Sequence, residues 1–172
     1  MPDRHPAEPL FVLPDPKPEA FTEARLLSML RSRYSGRAGN GPRWAFVTHV
    51  RDAAGFNATR TIDAIAVDTW PSSGIALHGF EVKTSRGDWR RELAQPHKAA
   101  AFTSYLDYFW VVAPRYVVKP AELPDGWGLI EARGDRLGAV VQARRGVPEP
   151  ITRSLVACLM RAACRPTAGA AL

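Results

Sequence analysis

The run Gly74-Ile75-Ala76-Leu77-His78-Gly79-Phe80-Glu81-Val82-Lys83 decides how the chain is read. Its apolar content is that of a buried strand. It ends on a carboxylate and an ammonium two residues apart, which a strand places on one face. A second strand-like run precedes it, Thr61-Ile62-Asp63-Ala64-Ile65-Ala66-Val67-Asp68, and the turn Trp70-Pro71-Ser72-Ser73-Gly74 joins the two. The pair makes a hairpin, and a hairpin brings Asp63 beside Glu81. Two carboxylates on adjacent strands form an oxygen-rich site for a hard divalent cation such as Mg²⁺. A lysine beside such a site can bind a phosphate oxygen or orient a water. Glu-x-Lys on a strand is by itself usually a solvated ion pair. Here the pair ends an apolar run, and the segment after it, residues 84–93, is dense in cations.

Outward from this hairpin, the remaining elements follow from pattern. Residues 1–18 carry Pro2, Pro6, Pro9, Pro14, Pro16 and Pro18 and read as an extended arm, with Leu10-Phe11-Val12-Leu13 available to dock on the body. Residues 19–34 have the spacing of an amphipathic helix with Phe21, Leu26, Leu27, Met29 and Leu30 on its apolar face. Gly36, Gly39 and Gly41 end it in a loop. Trp44 to Val50 reads as a strand, and residues 52–58 as a loop or wide hairpin. Residues 87–104 look helical with a break near Pro96. Tyr108-Phe109-Trp110-Val111-Val112-Ala113 is fully apolar, the mark of a central strand covered on both faces. A one-turn segment at 119–124, a hairpin from strands at 126–132 and 137–142, and a helix from Ile151 to Arg165 complete a single domain over 19–165. A loose tail covers 166–172. The fold class is α/β in the mixed α+β sense, a central mixed sheet flanked by helices.

A chain of 172 residues can bury a proper core. Its net charge of +6, carried mostly by arginine, fits a polyanionic partner, and nucleic acid is the default one. No basic amphipathic helix or 18-residue apolar run points to a membrane. No signal-peptide core opens the chain, so a cytoplasmic setting is expected. Cys158 and Cys164 are six apart and have no companions at zinc spacing, so reduced thiols are expected.

The order helix, three strands, helix, strand resembles the PD-(D/E)XK nuclease superfamily, with its restriction-endonuclease-like core. More narrowly, the stretch Asp63 to Trp127 is similar to the MmcB-type DNA-repair nuclease-like proteins and related phage-borne proteins. The likeness rests on Phe80-Glu81-Val82-Lys83-Thr84-Ser85-Arg86-Gly87-Asp88-Trp89. It continues through the blocks at 105–114 and at 124–130, the latter reading Pro124-Asp125-Gly126-Trp127-Gly128-Leu129-Ile130. The superfamily's proline before the aspartate is replaced by Ile62. The resemblance implies a Mg²⁺-dependent (or Mn²⁺-dependent) deoxyribonuclease with Asp63, Glu81, Lys83 and Glu23 as catalytic residues. It implies Asp63, Glu81 and the Val82 carbonyl as metal ligands, with Lys83 orienting or deprotonating the attacking water. Many nucleases of this fold dimerise to cut two strands.

Each assignment has an ordinary counterpart. Asp63 and Glu81 could be buried acids satisfied by backbone or arginine, and Lys83 a salt-bridge partner of Glu81 or Glu23. Ser85, Gln95 and Lys98 stand where the superfamily often places auxiliary residues, yet capping for Ser85 and exposure for the others are equally ordinary. Arg60, Arg86, Arg90 and Arg91 suit phosphates, or form a solvated basic face. His49 and His78 read as structural or exposed. Among the aromatic residues, Trp89 alone, beside three arginines, is a candidate for base stacking. The rival functional class is a DNA-binding module on a nuclease fold that no longer cuts. A third is an interaction protein that docks a partner through its proline-rich arm.

Overall fold

Two strand runs that end in acids need a sheet to hold them, and the structure supplies one of six strands. The structure is a computed structural model. It describes residues 20–38, 41–53, 60–94 and 102–165. The proline-rich arm, the tail, most of the 52–58 loop, and the expected auxiliary residues Gln95 and Lys98 lie outside these. Helix α1 (Glu23–Arg33) starts where the Thr22 hydroxyl accepts the Arg25 N–H, an N-cap that satisfies an otherwise orphan donor. A two-stranded ribbon of β1 (Arg37–Ala38) and β2 (Gly41–Pro42) follows, in the segment read from sequence as loop. Then come β3 (Trp44–Arg51), β4 (Thr61–Asp68) and β5 (Leu77–Val82). Helix α2 (Arg86–Leu93), β6 (Tyr108–Pro114), β7 (Gly128–Arg133), β8 (Arg136–Val141) and helix α3 (Arg153–Ala163) complete the described chain.

The sheet runs β3-β4-β5-β6-β7-β8. The first three strands form an antiparallel meander, β5-β6-β7 are parallel, and β8 returns antiparallel to β7. This is the mixed α+β architecture expected from sequence. The turn between β4 and β5 is a 3₁₀ segment, Pro71–Ser73, closed by Gly74 at φ 74°, a conformation open to glycine at little cost.

Core packing explains the apolar patterns. Leu26, Leu27 and Leu30 of α1 and Tyr34 at its C-cap cover one face, meeting Ala64, Ala66, Phe80, Val82, Trp110 and Val112. Leu155, Cys158 and Ala162 of α3 cover the other face over Val50, Ile62 and Ile65. Trp89 of α2 is fully buried against Val111, Ala113 and Leu129. Alternate residues of β6 therefore enter opposite cores, which is why its sequence is apolar throughout. Trp89 donates its indole N–H to Glu122 at 3.0 Å, so the one aromatic marked as a base-stacking candidate is a core residue. No described helix is long and apolar enough to cross a membrane.

Gly79 faces Ile65 in the β4–β5 register. A Cβ there would run into Leu106 and come within 2.8 Å of Ile62. Gly79→Ala should lower stability by about 1–3 kcal/mol through overpacking, read as a shift in the urea midpoint with an unchanged slope.

His78 lies between Tyr108, on which it stacks, and Trp110, whose indole N–H donates to His78 Nδ1 at 3.3 Å. Burial lowers its pKa to about 4, only partly offset by Asp68 and Asp107. The folded pKa lies below the unfolded one, so unfolding takes up a proton and stability falls as pH drops from about 6.5 toward about 4. His78→Gln keeps an acceptor for Trp110 and should flatten that part of the stability–pH curve, measured by thermal melts across the window.

Candidate metal centre

The site forms where two neighbouring strands stop pairing. β4 and β5 are matched from Val67–Leu77 to Ala64–Phe80. One step further the register would oppose Asp63 and Glu81. β5 instead stays on β6 as far as Val82–Val112, and the Lys83 N–H donates to the Val112 carbonyl at 2.9 Å. The Val82 N–H, without a β4 carbonyl partner, donates to Asp63 Oδ2 at 2.7 Å. The parting opens a cleft of about 370 Å³ lined by Glu23, Asp63, Glu81 and Glu92 together with Lys83 and Arg91. Larger hollows of about 540 and 610 Å³ exist. The larger is aromatic, and its one acid, Asp68, is held by Arg43 at 2.6 Å.

Lys83 sits between two carboxylates. Its Nζ is 2.7 Å from Glu81 Oε1 and 2.8 Å from Glu92 Oε2, and all three side chains are at most 20% exposed. Burial alone would pull the ammonium pKa down; the two acids more than reverse this and hold Lys83 above the ordinary lysine value. Glu81 is pushed up to about 7, first by burial and then by Asp63, with Lys83 offsetting only part. Burial also raises Asp63, the Val82 N–H lowers it, and Glu23 raises it again. Glu92 was absent from the sequence reading; only the helical turn of α2 brings it back over Lys83.

The cluster of donors differs from the expected pair. Donor atoms of Glu23, His49 and Asp63 all lie within 4.8 Å of one another. Ligands on one cation with bonds near 2.1 Å are about 3.0 Å apart when adjacent and about 4.2 Å when opposed, so the three donors would draw together to share an ion. Glu23 comes from the first turn of α1 and Asp63 from β4. His49 comes from β3, flanked by the pairs Thr48–Ala64 and Val50–Ile62, and so is level with Asp63. Its backbone is left-handed at φ 51°, a conformation histidine visits more readily than most side chains. Glu81 lines the same cleft but is bonded to Lys83 and stands outside the three-donor group. Val82 lines it as well. His49, read as structural or exposed, is thus placed with the acids. Only the β3–β4 register reveals this, and the sequence between the two strands does not encode it.

The expected nucleic-acid residues divide. Ser85 caps α2, its hydroxyl accepting the Asp88 N–H at 3.1 Å. Arg86 is committed to Glu122 and to the Val117 carbonyl. Arg91 lines the cleft while paired with Asp88. Arg60 and Arg90 are exposed. His49 lines the neighbouring hollow of about 540 Å³ and not the cleft itself, and that hollow adds Arg31 and Arg165, two cations not singled out from the sequence.

No protein-family model matches the chain, and no curated protein matches it. A solved structure of a protein of unknown function from Silicibacter pomeroyi superposes with a TM-score of 0.54. It covers 87% of this chain and 86% of its own at 20% identity. At that identity the likeness speaks for the fold alone: a mixed sheet flanked by helices.

The electrostatics predict opposite outcomes for two neighbours. Asp63→Asn keeps an acceptor for Val82 and removes a charge crowded by burial and Glu23, so stability should hold or rise by up to about 1 kcal/mol. Lys83→Met strands Glu81 and Glu92 and should cost about 3 kcal/mol at pH 7.5. That loss shrinks at lower pH as Glu81 takes up a proton. Denaturant melts at two pH values test both.

Proposed function

We propose that the cleft hydrolyses phosphodiester bonds in DNA with a bound divalent cation, in the manner implied by the resemblance to PD-(D/E)XK nucleases and MmcB-type proteins. The observation that carries this reading is the convergence of Asp63, Glu81, Lys83 and Glu23 at the point where β4 and β5 part. The donor set fits Mg²⁺ or Mn²⁺: two carboxylates in reach of one point, with a third acid lining the same cleft. A cation there would polarise a phosphate oxygen and lower the pKa of a bound water.

The chain's own residues have distinct parts in this scheme. Asp63 and Glu23 would hold the cation. Lys83 is kept charged by its two acid neighbours, so it serves as a donor to a phosphate oxygen and not as a base at neutral pH. Glu81, at about 7, is matched to take a proton from the attacking water near neutrality. Arg91 at the rim, Arg31 and Arg165 in the adjoining hollow, and the exposed Arg60 and Arg90 offer guanidinium groups to a phosphate backbone.

The second reading is a DNA-binding module without cleavage. It is favoured by the closed Glu81–Lys83–Glu92 contact, which engages two of the expected catalytic groups with each other. Incubation with supercoiled plasmid and labelled oligonucleotides, with Mg²⁺ or Mn²⁺, separates the two. The nuclease reading expects cation-dependent cleavage that falls by about 100-fold or more in Asp63→Asn and Glu81→Gln. Unchanged cleavage in both variants would sink it. A gel shift with no cleavage under either ion assigns the second reading.

A further inference from the structure

We infer that His49 is a protein ligand of the bound cation, and that its imidazole makes the site prefer a first-row transition ion such as Mn²⁺ over Mg²⁺. This rests on the reading of the cleft as a cation site.

Three elements deliver the donors: α1 brings Glu23, β3 brings His49 and β4 brings Asp63, within 4.8 Å of one another. His49 Nδ1 stands 4.0 Å from Glu23 Oε1. That is too long for a hydrogen bond. It falls within the roughly 3.0–4.2 Å that separates two ligands on one small divalent cation. Asp63 commits Oδ2 to the Val82 N–H, which orients the carboxylate and leaves its other oxygen for an ion. Such support of a ligand by a neighbouring donor is usual around metals. The His49 and Glu23 side chains are about half exposed, 48% and 53%, so an ion can enter from solvent. Arg165 donates to the His49 carbonyl at 3.2 Å and ties down the backbone that carries the ring.

The donor set determines the ion. Mg²⁺ wants oxygen ligands in near-octahedral order and dehydrates reluctantly. Imidazole suits the transition metals, and carboxylates suit Mn²⁺ as well as Mg²⁺. Two carboxylates and one imidazole therefore favour an ion that accepts both donor types.

Mn²⁺ binding to the full chain at pH 8 is read from the loss of the free-ion electron spin resonance signal, and Mg²⁺ binding by competition. Wild type should bind Mn²⁺ about tenfold or more tighter than Mg²⁺. His49→Asn is the test variant, because asparagine tolerates the left-handed backbone. It should weaken Mn²⁺ about tenfold and move Mg²⁺ by no more than about twofold. A direct readout needs no variant: spin-echo modulation of Mn²⁺ on the wild-type protein should show a coupled ¹⁴N. An unchanged Mn²⁺/Mg²⁺ ratio in a folded His49→Asn protein, or no nitrogen coupling in wild type, overturns the assignment. Asp63→Asn should lose both ions, and retention of Mn²⁺ there would mean the ion binds elsewhere and overturns it too. Absence of DNA cleavage with these binding results intact removes the nuclease reading and leaves the ligand assignment standing.

Discussion

The hydrogen bond from the Val82 N–H to Asp63 Oδ2 is the constraint around which the site is built. A sheet that paired β4 and β5 to their ends would satisfy Val82 with a main-chain carbonyl and leave no cleft. By pairing β5 with β6 to Val82 while β4 lets go after Ala64, the fold leaves one amide N–H without its ladder partner. A buried amide without an acceptor costs about 1–3 kcal/mol, and the Asp63 carboxylate removes that cost. The same carboxylate thereby closes the gap in hydrogen bonding and faces the opening that the gap creates. A side chain at this position must be a short acceptor; an apolar residue would serve neither purpose.

The charges around it oppose stability, which is the usual condition of a site that binds something. Glu81 is raised to about 7 and Asp63 is raised as well, both first by burial and then by a neighbouring acid. The ammonium of Lys83 is shared by Glu81 and Glu92, while Asp63 and Glu23 face each other with His49 as the nearest basic group in the described cluster. An added positive charge at that point would relieve the repulsion.

The six strands of the sheet were legible because each carried its burial in its pattern; the order in which they lie was not. The apolar run at 108–113 fitted only a strand between two layers, and Trp110 with Val112 on one side and Val111 with Ala113 on the other bear this out. Asp63 beside Glu81 was legible because a short connection fixes a hairpin's pairing. Glu92 and His49 were not. Glu92 reaches Lys83 only through the direction α2 takes after Ser85 caps it, and no periodicity encodes a helix's tilt. His49 meets Asp63 through the register of β3 on β4, which the residue spacing between the two strands does not fix. Trp89 sat among arginines in sequence, but its helix turns the ring into the core and Arg90 and Arg91 outward.

Register also makes the cluster fragile in a specific way. Side chains alternate faces along a strand, so a one-residue slip of β3 against β4 would send a different residue to the level of Asp63 and move Val50 out of the α3-covered core. The burial of Val50 and Ile62 under α3 therefore guards the position of His49, although neither touches the cleft. On the opposite face, Leu26, Leu27 and Leu30 seat α1 and so fix where Glu23 begins. Two separate cores, one on each side of the sheet, set the distances among three donors. Packing defects far from the cleft should therefore appear first as lost geometry at the cluster, before the fold itself gives way.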